Sequence, residues 1–357
     1  MSNPFPASFG GKSVPGADAT FSLPVTMYGT FPTRYYLPTL GTWNLLIDQQ
    51  LGSNWLLSFG YFGNGGYHLS SNAIGRRQLN PAIYIPGQST EANTQARRID
   101  PNFGGVYLYP TDLNSRYQAL QVNIEKRISK GFSVLANYTW SKAQDNTGPV
   151  VNPFDVHNFG WGNSTSDLPN VFHLSAIWVL PNAPIKGWAS MVINGWKITG
   201  IITWQNGFRF TVYSGVDNSF SAVGSDRADF TGSNINQAIL GDRSHGQMVN
   251  QYFNTSLFTV NAIGTYGNAP RNLLANPGLF NIDMAAIKYL PINERMNFQF
   301  RAEFFNLLNN VNFTVPGMGS ANPNESAAGN IVGTGGFGKL THAADPRILQ
   351  FALKFMF

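Results

Sequence analysis

From about residue 41 onward the chain alternates apolar and polar residues with a period of two in nine separated segments, as strands do when their two faces meet different surroundings. The first pair spans about 41–50 and 54–62, where Trp55, Leu57, Phe59 and Tyr61 alternate with Leu56, Ser58 and Gly60. The second spans about 115–128 and 132–142: Leu120, Val122 and Ile124 face away from Gln121, Asn123 and Glu125, and after Ser129-Lys130-Gly131 the row Phe132, Val134, Ala136, Tyr138, Trp140 takes over. The third spans about 169–180 and 195–205, with Phe172, Leu174, Ala176, Trp178 and Leu180, then Trp196, Ile198, Ile202 and Trp204. The fourth spans about 279–290 and 295–306, with Phe280, Ile282, Met284 and Ala286, then Met296, Phe298, Phe300, Ala302 and Phe304. The ninth segment closes the chain as DPRILQFALKFMF, with Leu349, Phe351, Leu353, Phe355 and Phe357 on one face and Gln350, Ala352, Lys354 and Met356 on the other.

Connections within pairs are short and those between pairs are long, at about 63–114, 143–168, 206–278 and 307–345. Loops of that length are uncommon inside a compact soluble domain. A transmembrane barrel has this asymmetry, with short periplasmic turns, long extracellular loops and strands of about 9–11 tilted residues. Tyr138, Trp140, Trp178, Trp196 and Trp204 collect near strand ends, as interfacial girdles do. The expected fold is therefore all-β, an antiparallel transmembrane β-barrel segment of about nine strands. With the short turns in the periplasm, the first and ninth strands run the same way, and further strands are expected on the N-terminal side to let the barrel close. A tenth strand within about 20–30 is a weak candidate because it contains Pro24.

Composition narrows the alternatives. Charged residues make up 11% and aromatics 14%, with abundant Gly and no Cys, so a disulfide framework and thiolate chemistry are excluded. The net charge of +5 comes from Lys and Arg residues scattered along the chain with no basic run longer than a pair, which argues against a nucleic-acid partner. No stretch is long and apolar enough for a transmembrane helix, and the start MSNPFPASFGGKSVPG lacks the features of a signal peptide. An exported protein of this sequence would carry its address upstream.

Several stretches resemble one family in combination. NSRYQALQVNIEKRISKGF (114–132), ANYTWSK (136–142), RAEFFNLLNNVNF (301–313), FGKLT (337–341) and the closing strand look like the barrel of Oar-like TonB-dependent receptors. Asn3-Pro-Phe-Pro6, Tyr266-Gly-Asn-Ala-Pro-Arg271 and Asn281-Ile-Asp283 fall in the expected order around them. The resemblance implies a carboxypeptidase-regulatory-like Ig domain, a plug and a barrel of 22 strands in the mature protein, of which residues 1–357 would be the C-terminal barrel portion, without plug, TonB box or Ig-like domain. It implies a bacterial outer-membrane location and an extracellular ligand. The partners implied are outer-membrane lipid and the barrel-assembly machinery, with TonB and the plug engaged only in the intact parent. The terminal row Leu349, Phe351, Leu353, Phe355 and Phe357 would be the signal read at assembly. One departure is Asn170-Val-Phe-His173, where the family has Asp at the first position; the pair is read as a hydrogen-bonding site at a strand start.

Candidate chemistry is sparse. Gly333-Thr-Gly-Gly-Phe-Gly-Lys339 fits a phosphate-loop spacing, but Leu340 stands where Mg²⁺ binding needs Ser or Thr, so a turn-rich loop is the better reading. The five His residues lack zinc-site spacing, and Asp226-Arg-Ala-Asp229 reads as a solvated loop rather than a Ca²⁺ cage. No nucleophile–base order or paired carboxylates stand out, so no enzyme, cofactor or metal is expected. Arg301 and Glu303 form an inward row, opposite Asp283 and near Glu125 and Arg127, expected to line a lumen or to contact a plug supplied upstream, because such charges facing lipid at mid-depth would cost about 2–4 kcal/mol for Arg or Lys. Two other classes remain open: a passive pore or structural surface protein, and a secreted soluble β protein that binds carbohydrate through its aromatics.

Overall fold

A strand in a half-buried sheet keeps its register because a slip of one residue would exchange its two faces, and nine strands obey that rule here in unbroken succession. The computed structural model describes residues 8–9, 12–13, 23–71, 75–224, 226–241, 243–293, 296–313 and 328–357. The strands are β1 (Thr39–Leu51), β2 (Trp55–Leu69), β3 (Leu113–Ser129), β4 (Phe132–Asp145), β5 (Asn170–Val179), β6 (Trp196–Gln205), β7 (Leu279–Pro291), β8 (Asn297–Phe305) and β9 (Ile348–Met356). Each pairs antiparallel with the next, forming one meander, and Gly162–Asn163 adds a short segment against the end of β4. The sheet is not closed: β1 and β9 each pair on one side only among the described residues.

The hairpins show why the turns fall where they do. Ser129 pairs with Phe132 across Lys130 and Gly131, whose φ values of 51° and 77° are both positive, as a two-residue turn matching the strand twist requires. A Cβ on Gly131 would also meet the Val179 carbonyl oxygen at 2.5 Å. The β5–β6 connection, 180–195, is longer and carries a helix of its own. Three short α-helices occur among the described residues, α1 (Val156–Gly160), α2 (Trp188–Ile193) and α3 (His245–Asn250), the last closed by a capping box between Ser244 and Gln247.

Residues Val25–Thr30 do form a strand, but not a tenth member of the sheet. They run parallel to Phe103–Leu108 in the first long loop, which also pairs with Arg77–Gln78. At 6 residues the strand is shorter than a membrane crossing needs.

The buried apolar core lies away from the sheet. Phe210, Val212, Phe253, Phe258, Leu274 and Leu340 cluster in the loop between β6 and β7 and the one between β8 and β9, with Phe253 edge-on to both Phe258 and Phe337. The long loops fold into an ordered cap with its own hydrophobic centre. Many large apolar side chains of the sheet, by contrast, stay uncovered, with Phe351 63% and Leu353 68% exposed.

Phe253→Ala should therefore cost the cap about 3–5 kcal/mol while leaving the sheet intact. Protease treatment of intact cells should then cut within 206–278, with the folded, heat-modifiable band of the barrel unchanged on a gel.

Candidate functional site: two sheet faces and a folded cap

Strand register sorts the side chains into two faces. On one, Phe298, Phe300, Ala302 and Phe304 stand opposite Phe355, Leu353, Phe351 and Leu349, and Phe355 stacks on Phe357, so the terminal row faces an apolar row of β8. The five aromatics expected at interfaces lie on this same face, in two belts. Trp178 and Trp196 sit at the short-turn end, and Tyr138, Trp140 and Trp204 at the loop end. From Trp196 to Trp204 is about 26 Å of strand, or roughly 20 Å of depth at the usual tilt.

Two lysines at the short-turn end of this apolar face were not singled out in the sequence. Lys126 stands between Trp55 and Val134, and its Nζ reaches back to the Ser129 Oγ (2.9 Å) and the Phe132 carbonyl (2.8 Å). Lys288 stands beside Trp196 and donates to the Asn194 carbonyl. Both lie at the short-turn end and carry their charge out of the apolar band along an aliphatic stem. A lysine on the apolar parity in the last turn of a strand is the signal that would have found them.

The other face carries the charges. Arg301 pairs with Glu303 at 2.7 Å, and Asp283 accepts from Asn281 (2.8 Å) and from the Asn306 N–H (2.9 Å). These three, with Ser175, Thr199 and Ile201, line a shallow concavity of about 270 Å³. Arg301 Nε is buried there with no protein acceptor. Glu125 and Arg127 pair with each other more loosely, at 3.8 Å, on β3. The expectation of one charged row is thus corrected: five strand steps of about 4.8 Å separate β3 from β8, roughly 24 Å, and the two groups do not meet. Asn170 and His173 also differ from their reading as a pair. They lie on opposite faces, Asn170 accepting from the Tyr138 hydroxyl (2.6 Å) and His173 meeting Thr203 (3.3 Å).

The cap is tied to the strand ends by buried ions. Asp167, fully buried, takes Lys142 of β4 at 3.0 Å, Arg209 at 3.1 Å and the Ala143 N–H at 2.7 Å. Arg271, the last residue of YGNAPR, meets Asp145 at 2.7 Å across 126 residues of sequence. In the same motif Asn268 accepts from the Phe230 N–H (2.6 Å), and a Cβ on Gly267 would lie 1.9 Å from the Arg227 carbonyl oxygen. Arg227 donates to the Phe159 carbonyl (2.7 Å) and lies 4.1 Å over the Phe159 ring; burial pulls its pKa down to about 10. The Asn residues of NLLNN act likewise: the Asn306 side chain clamps both backbone groups of Asn310, and Asn309 accepts from the Arg347 N–H (2.9 Å) at the entry to β9.

Asp226-Arg-Ala-Asp229 is another correction. It is buried rather than solvated: Asp226 is 1% exposed and accepts from the Ser219 N–H (2.7 Å) and Asn261 (3.0 Å). Its neighbours were invisible in sequence because Ser219 and Asn261 approach through loop folding.

The cap holds a pocket of about 870 Å³, within the range of small-molecule sites. Ile239, Met248 and Leu273 supply apolar wall, and Arg209 and Arg243 reach it, with no carboxylate among its described lining residues. Arg243 is held by the Gln251 and Tyr252 carbonyls, and the Tyr252 hydroxyl, donating to the Ala275 carbonyl (2.9 Å), is kept protonated by burial. Among the described residues Arg209 bonds through Nε alone, to Asp167.

A family model described as "Outer membrane beta barrel domain" matches residues 1–350. No curated protein matches the sequence. Among solved structures, the outer membrane transporter YddB from Escherichia coli is similar at 10% identity and TM-score 0.46, covering 94% of this chain and 34% of that one. The ferric-catecholate import receptor Fiu from E. coli K12 is similar at 12% identity and TM-score 0.43, covering 89% and 27%. The ferripyoverdine receptor of the Pseudomonas aeruginosa outer membrane is similar at 11% identity and TM-score 0.41, covering 88% and 27%. The chain thus spans about a third or less of the length of these proteins.

Burial raises the pKa of Asp226 above that of an ordinary carboxyl. Its contribution to cap stability is then fully present below the unfolded value of about 3.9 and is lost as pH rises through the raised folded value. Asp226→Asn, which keeps an acceptor for Ser219, should remove that component. The cap protease resistance of the wild type relative to the variant should fall as pH rises from about 4.

Proposed function

The chain belongs to the outer membrane β-barrel domain family, and from that premise we propose that it forms the C-terminal barrel portion of an Oar-like TonB-dependent receptor. In this reading residues 1–357 contribute barrel wall, ligand-facing loops and the terminal assembly strand. The plug, the Ig-like domain and the contact with TonB belong to the intact parent. The observation that carries the reading is the cap: the long outer loops are folded around their own core and a cationic pocket, the arrangement of a surface that captures a ligand before passing it inward. The motif resemblance over the strands supports the same family.

Within this reading the roles divide by face. The apolar face with its two aromatic belts meets lipid, and Leu349, Phe351, Leu353, Phe355 and Phe357 are what the barrel-assembly machinery reads. Asp283, Arg301, Glu303, Glu125 and Arg127 line the lumen, where the buried, unbonded Arg301 Nε is available to a plug residue or to water. The ligand has an anionic group for Arg209 and Arg243 and an apolar body for Ile239 and Met248. The reading contains no catalytic step, cofactor or metal.

A passive pore or surface protein is the second reading, favoured by the lumen charges alone. The upstream DNA separates the two. A continuous frame encoding a plug and signal peptide is expected, and a promoter and start codon directly before Met1 would overturn the receptor. In planar bilayers the intact protein should stay closed, whereas a stable open conductance would support the pore. A soluble carbohydrate-binding protein would have to leave the Phe351 and Leu353 row in water.

Adjacent positions of opposite face test the membrane placement. Gly200→Arg, on the apolar face, should cost about 2–4 kcal/mol near mid-depth and deplete the folded outer-membrane band, while Thr199→Arg, on the polar face, should leave it near the wild-type level. The terminal strand has its own test: Phe355→Asp, or deletion of Phe357, should lower the surface level of the intact protein in quantitative blots of outer membranes, and normal levels of both would refute the assembly role.

A further inference from the structure

The β5–β6 connection lies at the short-turn end, where a water-exposed turn would present polar side chains. It does the reverse. Trp188, Met191 and Val192 fall on one stripe of α2, at i, i+3 and i+4, and with Ile193 they are 80%, 61%, 57% and 55% exposed. The polar groups are turned inward. Ser190 Oγ accepts from Asn194, which also exchanges hydrogen bonds with both backbone groups of Ala183, and Asn182 accepts from the Gly195 N–H at 3.1 Å. The connection is thus internally satisfied in its hydrogen bonds and apolar on its outside.

Two bonds fix the side of the sheet on which it lies. The Trp196 indole N–H donates to the Val192 carbonyl (2.8 Å), and Lys288 Nζ donates to the Asn194 carbonyl. Both side chains belong to the apolar face, in the aromatic belt of the short-turn end. The exposed stripe of α2 therefore continues the lipid-facing surface beyond the end of the strands.

We propose that α2 is an interfacial anchor, seated in the headgroup and upper acyl region of the periplasm-facing phospholipid leaflet. Trp188 sits at the depth that indole rings favour, Met191 and Val192 enter the acyl boundary, and exposed Lys186 lies toward the lipid phosphates. The anchor fixes the height of the barrel in the membrane at this hairpin. The proposal rests on the outer-membrane placement of the sheet and is independent of what the loops bind.

Residues 1–357 contain no Cys, so once any cysteines elsewhere in the intact protein are replaced, single-site labelling needs only the introduced one. Trp188→Cys, Met191→Cys and Val192→Cys, each in the intact protein and carrying a nitroxide, would be reconstituted in vesicles of phosphatidylethanolamine and phosphatidylglycerol. Collisions with oxygen and with a water-soluble nickel chelate would be compared by power saturation. Ile202→Cys on the apolar face of β6 and Ser53→Cys in the β1–β2 turn are the lipid and water references. The expected result is an oxygen-to-nickel ratio at 191 and 192 several-fold above that at 53 and close to that at 202, with 188 between them. Ratios equal to that at 53 would place α2 in water and overturn the proposal. Labels accessible to neither reagent would also overturn it, because a protein surface such as the plug or a second copy would then be the occupant.

Discussion

A backbone that crosses hydrocarbon has to pair every N–H and C=O within the protein, because no water is there to receive them. The nine-strand antiparallel meander does this between neighbours, and the rest of the structure follows from that ladder. Fixed register with a side-chain period of two allows only two surfaces, one given to lipid and one to the lumen. Neither needs a packed protein core behind it, and so the sheet leaves large apolar residues uncovered that a soluble sheet would have to bury.

The cap answers a different constraint. Loops as long as 206–278 cannot borrow a core from the sheet, so they assemble one, around Phe210, Phe253 and Phe258. Apolar burial alone would not orient that body on the strands. The buried pairs Asp167 with Lys142 and Arg209, and Asp145 with Arg271, supply the orientation. Removing one partner from such a pair would leave an uncompensated buried charge, worth roughly 3–5 kcal/mol, so the contacts specify position even where their net contribution to stability is small.

This division explains which parts of the molecule were legible in the sequence. All nine strands were visible because alternation is a local property. Their limits were less so: β2 runs to Leu69 rather than about 62, since Gly63, Gly65 and Gly66 carry no side chain by which a face could be recognised. The cap was read only as loops, because its contacts join residues such as Asp145 and Arg271, 126 positions apart. The same non-locality buried Asp226 and kept Glu125 away from Arg301. Motifs read as family signatures acquired physical roles once folded: the Asn residues of NLLNN close the backbone at the entry to β9, and YGNAPR places Arg271 on Asp145.

Charge usage ties the two constraints together. With only 11% charged residues, the chain puts hardly any of them on the lipid row. The exceptions on the spanning part, Lys126 and Lys288, stand near the strand ends and bond to carbonyls there. A lysine there is tolerated because its stem is long enough to carry the ammonium past the edge of the hydrocarbon. Lys288 gains a second function from that reach, since the carbonyl it finds belongs to Asn194 at the end of α2. The lysine thereby ties the end of the α2 connection to the same face that its stem crosses.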